Sequence, residues 1–323
     1  MSDRVMVTAS PFICHEPEAG EPLRREGIEV RHAPAGACAD RQAVIELLAD
    51  CAGVIASMEP YDEQVFSALP QLRTIARWGV GYDSIDLQAA TRARVIVTNT
   101  PGAVTESVAD QTFALMLALA RRIPEQLSVA RSLQWCTVEG TELWRKTLGI
   151  IGLGSIGQAV ARRAAGFSMR ILAHDPYLLP FHVGRLNVTP VSLDRLLQES
   201  DIITLHANVT PESRGMIGEK QLRMMKPTAL VVNCGRGALV DQVALARALQ
   251  EGWIAGAALD ALECEPPLPD DPILGAPNVI IAPHNSSMTA ESAARVNALV
   301  CENVIAALAG RRPRFVVNRD LLD

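Results

Sequence analysis

Short apolar runs alternate with longer amphipathic ones along this chain, and the alternation occurs twice. In the first hundred residues, runs at 5–9, 53–57 (GVIAS), 72–77 (LRTIAR) and 93–98 (ARVIVT) predict strands, with helical spacing at 41–50 and 62–68. From residue 147 the pattern returns more regularly. Strands are predicted at 148–152, 170–174, 202–206, 229–233, 254–259 and 279–282, and helices at 155–165, 192–199, 219–225 and 242–251. Apolar strands interleaved with helices predict parallel sheets with helices on both faces, because a strand covered on both sides needs no polar face. The second set reads as a doubly wound sheet of about six strands. Two longer helices frame it, at 105–121 and 289–309. The first follows a Pro-Gly turn at 101–102, with Thr105 and Ser107 as N-cap candidates, and the first domain boundary is placed at this turn.

The length, 323 residues, is long for a single core and predicts two domains. Apolar residues at 49% and charged residues at 20% suit filled cores and argue against disorder. A net charge of −6 without a concentrated basic patch gives no expectation of a nucleic-acid partner. The longest apolar stretch, 113–120, is far short of the roughly 20 residues that span a bilayer. The first ten residues lack the apolar region of a signal peptide, so a cytoplasmic protein with no membrane partner is expected. Seven scattered cysteines with no C-x-x-C pair read as reduced thiols, and no metal site is expected.

The sharpest local motif is GLGSIG, residues 152–157, between an apolar strand and an amphipathic helix. Gly152 permits the tight turn, Gly154 lets the backbone approach a pyrophosphate, and Gly157 lets helix and strand pack closely. The backbone N–H groups near Ser155 and Ile156 would face the phosphates. Asp175 follows the next strand, 18 residues after Gly157. A carboxylate there accepts hydrogen bonds from ribose hydroxyls and repels a 2′-phosphate, so NAD is expected rather than NADP.

Three later strand ends carry polar groups. Arg236 sits between two glycines in VVNCGRGALVD, LDALECEPP carries Asp260, Glu263 and Glu265, and IAPHNSS carries His284. Reducing a 2-keto acid requires a cation to hold the carboxylate and polarise the carbonyl, and an acid to protonate its oxygen. A carboxylate beside the acid would favour an imidazolium. Arg236, His284 and Glu265 fill these roles. Singly, each has a plain alternative: a surface loop, a polar loop residue, a solvated turn before two prolines. Their shared position on the C-terminal side of strands of one open sheet favours the joint reading.

At these residues the sequence resembles the D-2-hydroxyacid dehydrogenase family, which includes phosphoglycerate, glyoxylate/hydroxypyruvate and D-lactate dehydrogenases. The likeness runs through RWGVGYDSID (77–86), NTPGAVTESVAD (99–110), LGIIGLGSIG (148–157), NCGRGALVD (233–241), LDALECEPP and APHNSS. It implies an α/β chain of two Rossmann/flavodoxin-like doubly wound parallel-sheet domains with an interdomain cleft. The substrate domain would comprise 1–99 plus 286–323, and the NAD-binding domain 100–285.

Residue by residue, the resemblance puts the family's catalytic group on Arg236, Glu265 and His284, of which Arg236 and His284 would touch both substrate and cofactor. Asp260 would lie near the nicotinamide carboxamide. Ser155, Ile156, Asp175, His206, Cys234 and Gly235 would line the cofactor, as would Ser286 and Ser287. The N–H groups of Val80 and Gly81 would cradle the substrate carboxylate, with Ser57 in the same cleft and Arg77 nearby as an anion partner. Ala56 stands where some phosphoglycerate enzymes carry an arginine, which weakens that assignment, and Glu265 argues against formate as donor. Segment 121–147 matches the part of the family that wraps a second subunit, so a homodimer with Trp135 and Trp144 as anchors is expected, the alternative being packing within one chain. The implied activity is NAD-dependent hydride transfer with a small 2-hydroxy or 2-keto acid of the phosphoglycerate, hydroxypyruvate or glyoxylate type. The competing reading is a dinucleotide-sensing protein of the family's corepressor branch.

Overall fold

Runs of Val, Ile and Leu become strands wherever helices can cover both faces. The computed structural model describes residues 3–34, 36–38, 40–178 and 184–321. They divide into two units: the chain up to Val104 together with the part from Ser287 onward, and Thr105–Ser286.

The first unit is built on five parallel strands, β1 (Arg4–Val7), β2 (Glu29–His32), β3 (Gly53–Ala56), β4 (Thr74–Arg77) and β5 (Ile96–Thr98), in the order β2-β1-β3-β4-β5. β3 and β4 are buried along their whole length, whereas β2, Glu-Val-Arg-His, is a partly exposed edge strand. Its charged residues blunt the edge and leave no apolar run, which is why the sequence pattern does not reveal it. Asp40, Asp62 and Asp86 cap the helices that follow them by accepting backbone N–H groups. The helix Ala290–Leu308 returns to this sheet, burying Ala293, Val296, Val300, Val304 and Ala307 at helical spacing. It packs on β3 and β4.

The second unit has seven parallel strands: β6 (Thr147–Ile151), β7 (Arg170–His174), β8 (Val188–Pro190), β9 (Ile202–Leu205), β10 (Leu230–Asn233), β11 (Gly256–Leu259) and β12 (Val279–Ile281). Their order is β12-β11-β10-β9-β6-β7-β8. The six strands read from the sequence are joined by β8, a three-residue edge strand ending in proline, too short and irregular to read as a run. The chain winds one way through β6, β7 and β8 and the other way through β9 to β12. The crevice at the C-terminal ends of β6 and β9 is therefore the topological switch point, where open α/β sheets bind ligands. Helix Thr105–Ala120 packs on β10, β11 and the helix Ser155–Ala164 within the same unit.

The C-terminal segment closes the open edge of the first sheet. Val317 donates its N–H to Val97 O at 2.8 Å, and buried Asn318 accepts from Val97 N at 2.9 Å while donating to Val95 O at 2.8 Å. Asn318→Ala would leave a buried donor on β5, Val97 N, and a buried acceptor just before it, Val95 O, without these partners. It is expected to cost about 1–3 kcal/mol, read as a lower urea midpoint at unchanged slope.

Candidate active site

The glycine loop joins β6 to the helix Ser155–Ala164. Gly152 has φ +88°, and a Cβ there would lie 2.7 Å from Ala207 N. A Cβ on Gly157 would lie 2.1 Å from Gly152 O. Both positions are thus closed to any side chain, since β9 and the helix press on the turn. Around Gly154 a Cβ would meet nothing within 4 Å. No side chain caps this ten-residue helix, so the first-turn amides next to that open space have no side-chain acceptor. Asp175, just past β7, accepts from Leu153 N at 2.7 Å and Tyr177 N at 2.8 Å. Its carboxylate therefore pins the end of β7 to the glycine loop and still has lone pairs for further donors. His206, at the end of β9, bonds Thr204 Oγ1 at 2.9 Å through Nε2, while its buried Nδ1 has no partner. Burial pushes this imidazole down to about 3, so it is neutral and its second nitrogen awaits a partner. An open cradle, uncapped amides and an orphaned nitrogen at the switch point fit a dinucleotide.

Two neighbouring loops carry the polar groups that follow β10 and β11. Asn233, the last residue of β10 and fully buried, braces the turn after it. Its Oδ1 accepts from Gly235 N at 3.0 Å and its Nδ2 donates to Arg236 O at 2.9 Å. A Cβ on Gly237 would lie 2.0 Å from the carbonyl of Leu262, so only glycine lets the Arg236 turn rest against the loop after β11. That loop is held from the other side by Gln242, whose Oε1 accepts from Glu263 N at 3.0 Å and whose Nε2 donates to Asp271 at 2.6 Å.

Within this frame Glu265 accepts from Leu262 N at 2.9 Å and from His284 Nδ1 at 2.7 Å. Burial raises the Glu265 carboxyl, but the His284 hydrogen bond, the Leu262 amide and the charges of His284 and Arg236 outweigh it, and the net shift is downward. The pair remains about 40% exposed, with the Nε2 side of the ring free of Glu265. His284 itself sits at φ +53° and donates its N–H to Asp260 O at 2.9 Å. Asp260, almost wholly buried, accepts from Asn285 N at 2.8 Å and Ser286 N at 2.9 Å, which fixes the backbone after His284. Cys234 is buried, and burial pushes its thiol up to about 11, so it is an inert wall rather than a thiolate.

Arg236, Glu265, His284 and Asp260 thus gather in the second unit, with Cys234, Gly235 and Ser286 beside them. Asn233 and Gln242 were not singled out from the sequence. Asn233 had a readable signal, since an Asn two residues before a glycine at a strand end is an Asx-turn pattern. Gln242 had none, because its partners lie 21 and 29 residues away.

In the first unit, Ser57 follows β3 and Val80–Gly81 follow β4. These adjacent strand ends are joined by Trp78 N donating to Ala56 O at 2.9 Å. The amides of Val80 and Gly81 donate to no other described residue, whereas Val80 O accepts from Asn99 Nδ2 at 2.8 Å. Arg77 is buried, with its guanidinium turned onto Trp78 O and Met58 Sδ, so it ties the two loops together. Ser287 opens the segment that leads into the helix Ala290–Leu308. Among the described residues no cluster of three His, Cys, Asp or Glu could hold a metal ion, and no helix is long and apolar enough to cross a membrane.

Comparison with known proteins adds to this geometry. The family model described as D-isomer specific 2-hydroxyacid dehydrogenase, NAD binding domain, matches residues 113–286. The glyoxylate reductase of Korarchaeum cryptofilum is 44% identical over 329 residues, covering 100% of this chain and 98% of its own. The D-lactate dehydrogenase of Aquifex aeolicus, solved with NAD and lactic acid, is 29% identical with a TM-score of 0.84, covering 95% of this chain and 96% of its own. An NADPH-dependent glyoxylate/hydroxypyruvate reductase of Sinorhizobium meliloti, solved with NADP and malonate, is also 29% identical with a TM-score of 0.84, covering 98% of this chain and 97% of its own.

The two glycines of contrasting surroundings can be tested together. Gly237→Ala is expected to cost about 1–3 kcal/mol by forcing backbone apart. Gly154→Ala should change the stability of the ligand-free protein by less than about 0.5 kcal/mol yet weaken dinucleotide binding. Urea melts and a nucleotide titration check both.

Proposed function

The chain belongs to the D-isomer specific 2-hydroxyacid dehydrogenase family, and from that premise we propose that it is an NAD-dependent oxidoreductase acting on a small D-2-hydroxy acid and its 2-keto counterpart. Glyoxylate and hydroxypyruvate are the first candidates. One observation carries the reading: His284 pairs at 2.7 Å with Glu265, whose loop is held against the Arg236 turn.

The chemistry follows from those three groups. Arg236 grips the substrate carboxylate with its planar fork and polarises the neighbouring carbonyl. Glu265 accepts Nδ1–H and orients the ring, leaving Nε2 to deliver a proton to the carbonyl oxygen. The bound nicotinamide supplies the hydride. In the reverse direction His284 takes the hydroxyl proton. Because the Glu265 carboxyl is held below its usual range, the pairing is complete at neutral pH and is lost as pH falls through that lowered value.

Asp260 with Asn285 and Ser286 keeps the backbone beside His284 in place. Gly152, Gly154, Ser155, Ile156 and Gly157 are assigned to the pyrophosphate and Asp175 to the ribose. His206, Cys234, Gly235 and Ser287 are assigned to the rest of the cofactor. In the first unit we assign Val80 and Gly81 to the substrate carboxylate and Ser57 to the substrate, with Arg77 beneath them. Relatives of this fold take either NAD or NADP, so Asp175 is the residue that selects NAD here. Seven cysteines, all unpaired, support a cytoplasmic location.

NADH consumption should be seen with a 2-keto acid from a panel including glyoxylate, hydroxypyruvate, pyruvate and phosphohydroxypyruvate, and only weakly with NADPH. His284→Ala should lose about a hundredfold to ten-thousandfold in turnover while still binding NADH. Full turnover in that variant would refute the acid assignment. Silence across the panel in protein that binds NADH would favour the sensing alternative.

We also propose a homodimer formed through segment 121–147. Leu133 and Trp135 are 90% and 95% exposed there, and Trp144 and Leu127 are half exposed. Large apolar side chains that project this far into water are typical of an interface. Light scattering should give twice the mass of one chain, and Leu133→Asp combined with Trp135→Asp should reduce it to the monomer.

A further inference from the structure

The first unit contains a buried carboxylate that the reaction does not use. Glu59 follows β3 by three residues and is only 6% exposed. The salt bridges of the described residues do not include it. Its partners are neutral donors. Ser57 N approaches Oε2 at 3.1 Å and Oε1 at 3.2 Å, Tyr61 Oη donates to Oε1 at 3.0 Å, and Thr8 Oγ1 also donates to Oε1. Ser57 N lies 3.1 Å from Thr8 Oγ1 as well, so the end of β3 is clamped between β1 and the Glu59 turn. Tyr61 is fully buried. Burial first, and Glu59 second, hold its phenol well above the ordinary value, so it stays a donor.

A buried carboxylate is costly even when hydrogen-bonded, and a neutral or apolar residue would fill this turn at lower cost. Groups that break a local rule in this way mark places where geometry matters more than stability. The geometry here is that of Ser57 and Met58. Ser57 is the assigned substrate residue, and Met58 carries the sulfur on which Arg77 rests at 2.8 Å. Arg77 in turn is the last residue of β4, from which the loop to Val80 and Gly81 leaves. One carboxylate therefore sets the backbone of the loop after β3 and, through Met58 and Arg77, bears on the loop after β4.

We propose that Glu59 is a positioning residue for substrate: its two oxygens hold the Ser57 amide and thereby fix the loop that receives the 2-keto acid. The inference rests on the reading of Ser57, Val80 and Gly81 as substrate groups. It concerns only the first unit, so the cofactor groups of the second unit serve as an internal control.

The experiment compares Glu59→Ala, Glu59→Gln and Tyr61→Phe with the unaltered protein. KM for the best keto acid, KM for NADH and kcat are measured, together with amide hydrogen exchange over residues 55–62. Glu59→Ala should raise the keto-acid KM about tenfold or more, leave the NADH KM unchanged, and speed exchange at the Ser57 amide. Glu59→Gln keeps an acceptor for Ser57 and should recover most of the loss. Tyr61→Phe leaves the carboxylate in place and removes one donor, so it should give a smaller rise of the same kind and serves if Glu59→Ala does not fold. An unmoved keto-acid KM in folded variants, an equal rise in the NADH KM, or faster exchange without a change in KM would each overturn the proposal. If the unaltered protein reduces no keto acid, the proposed function fails and takes this inference with it. If it is active and the variants match it, only the inference fails.

Discussion

Parallel strands govern this molecule. When every strand in a sheet points the same way, each connection must cross over a face of the sheet, and all the strand C-terminal ends meet at one edge. The loops that leave that edge carry the polar residues, because the strands are covered on both faces and have no room for them. In the second sheet the winding reverses between β6 and β9. The glycine loop, Asp175, the Arg236 turn, the Glu265 loop and His284 all leave from the same edge. The same constraint sets Ser57 and Val80–Gly81 at adjacent strand ends of the first sheet.

Loops at a strand edge are inherently loose, and here carboxylates stiffen them by accepting backbone N–H groups. Asp260 takes Asn285 and Ser286, Asp175 takes Leu153 and Tyr177, Glu265 takes Leu262, and Glu59 takes Ser57. A charge-assisted bond to a backbone amide fixes main-chain position rather than side-chain rotamer, so a neighbouring functional group inherits a defined origin. Glycine does the complementary work where loops must touch. Gly237 lets the Arg236 turn rest on Leu262, and Gly157 lets the helix rest on the turn at Gly152.

The succession of strands and helices was largely legible. Apolar runs and a Pro-Gly turn located most strands and both long helices, since a strand buried on two faces is built mainly from apolar residues. β2 and β8 escaped because edge strands need not be apolar and are short. The glycine motif and the Arg, Glu and His residues stood out as polar groups at the ends of such runs.

What the sequence by itself determined was local: which segments are strands, where the tight turns fall, and which chemically capable residues sit at strand ends. Periodicity and glycine chemistry act over a few residues, so they can be read in order along the chain. The tertiary structure alone decided which of these groups meet. Glu265 and His284 are 19 residues apart in the chain and 2.7 Å apart in space. It also decided which buried polar groups are satisfied by partners far away, as Gln242 is by Asp271 and β5 is by Asn318. The physical reason is that a buried donor or acceptor needs a partner of the right kind within hydrogen-bond reach, and only the packing of distant segments brings one there.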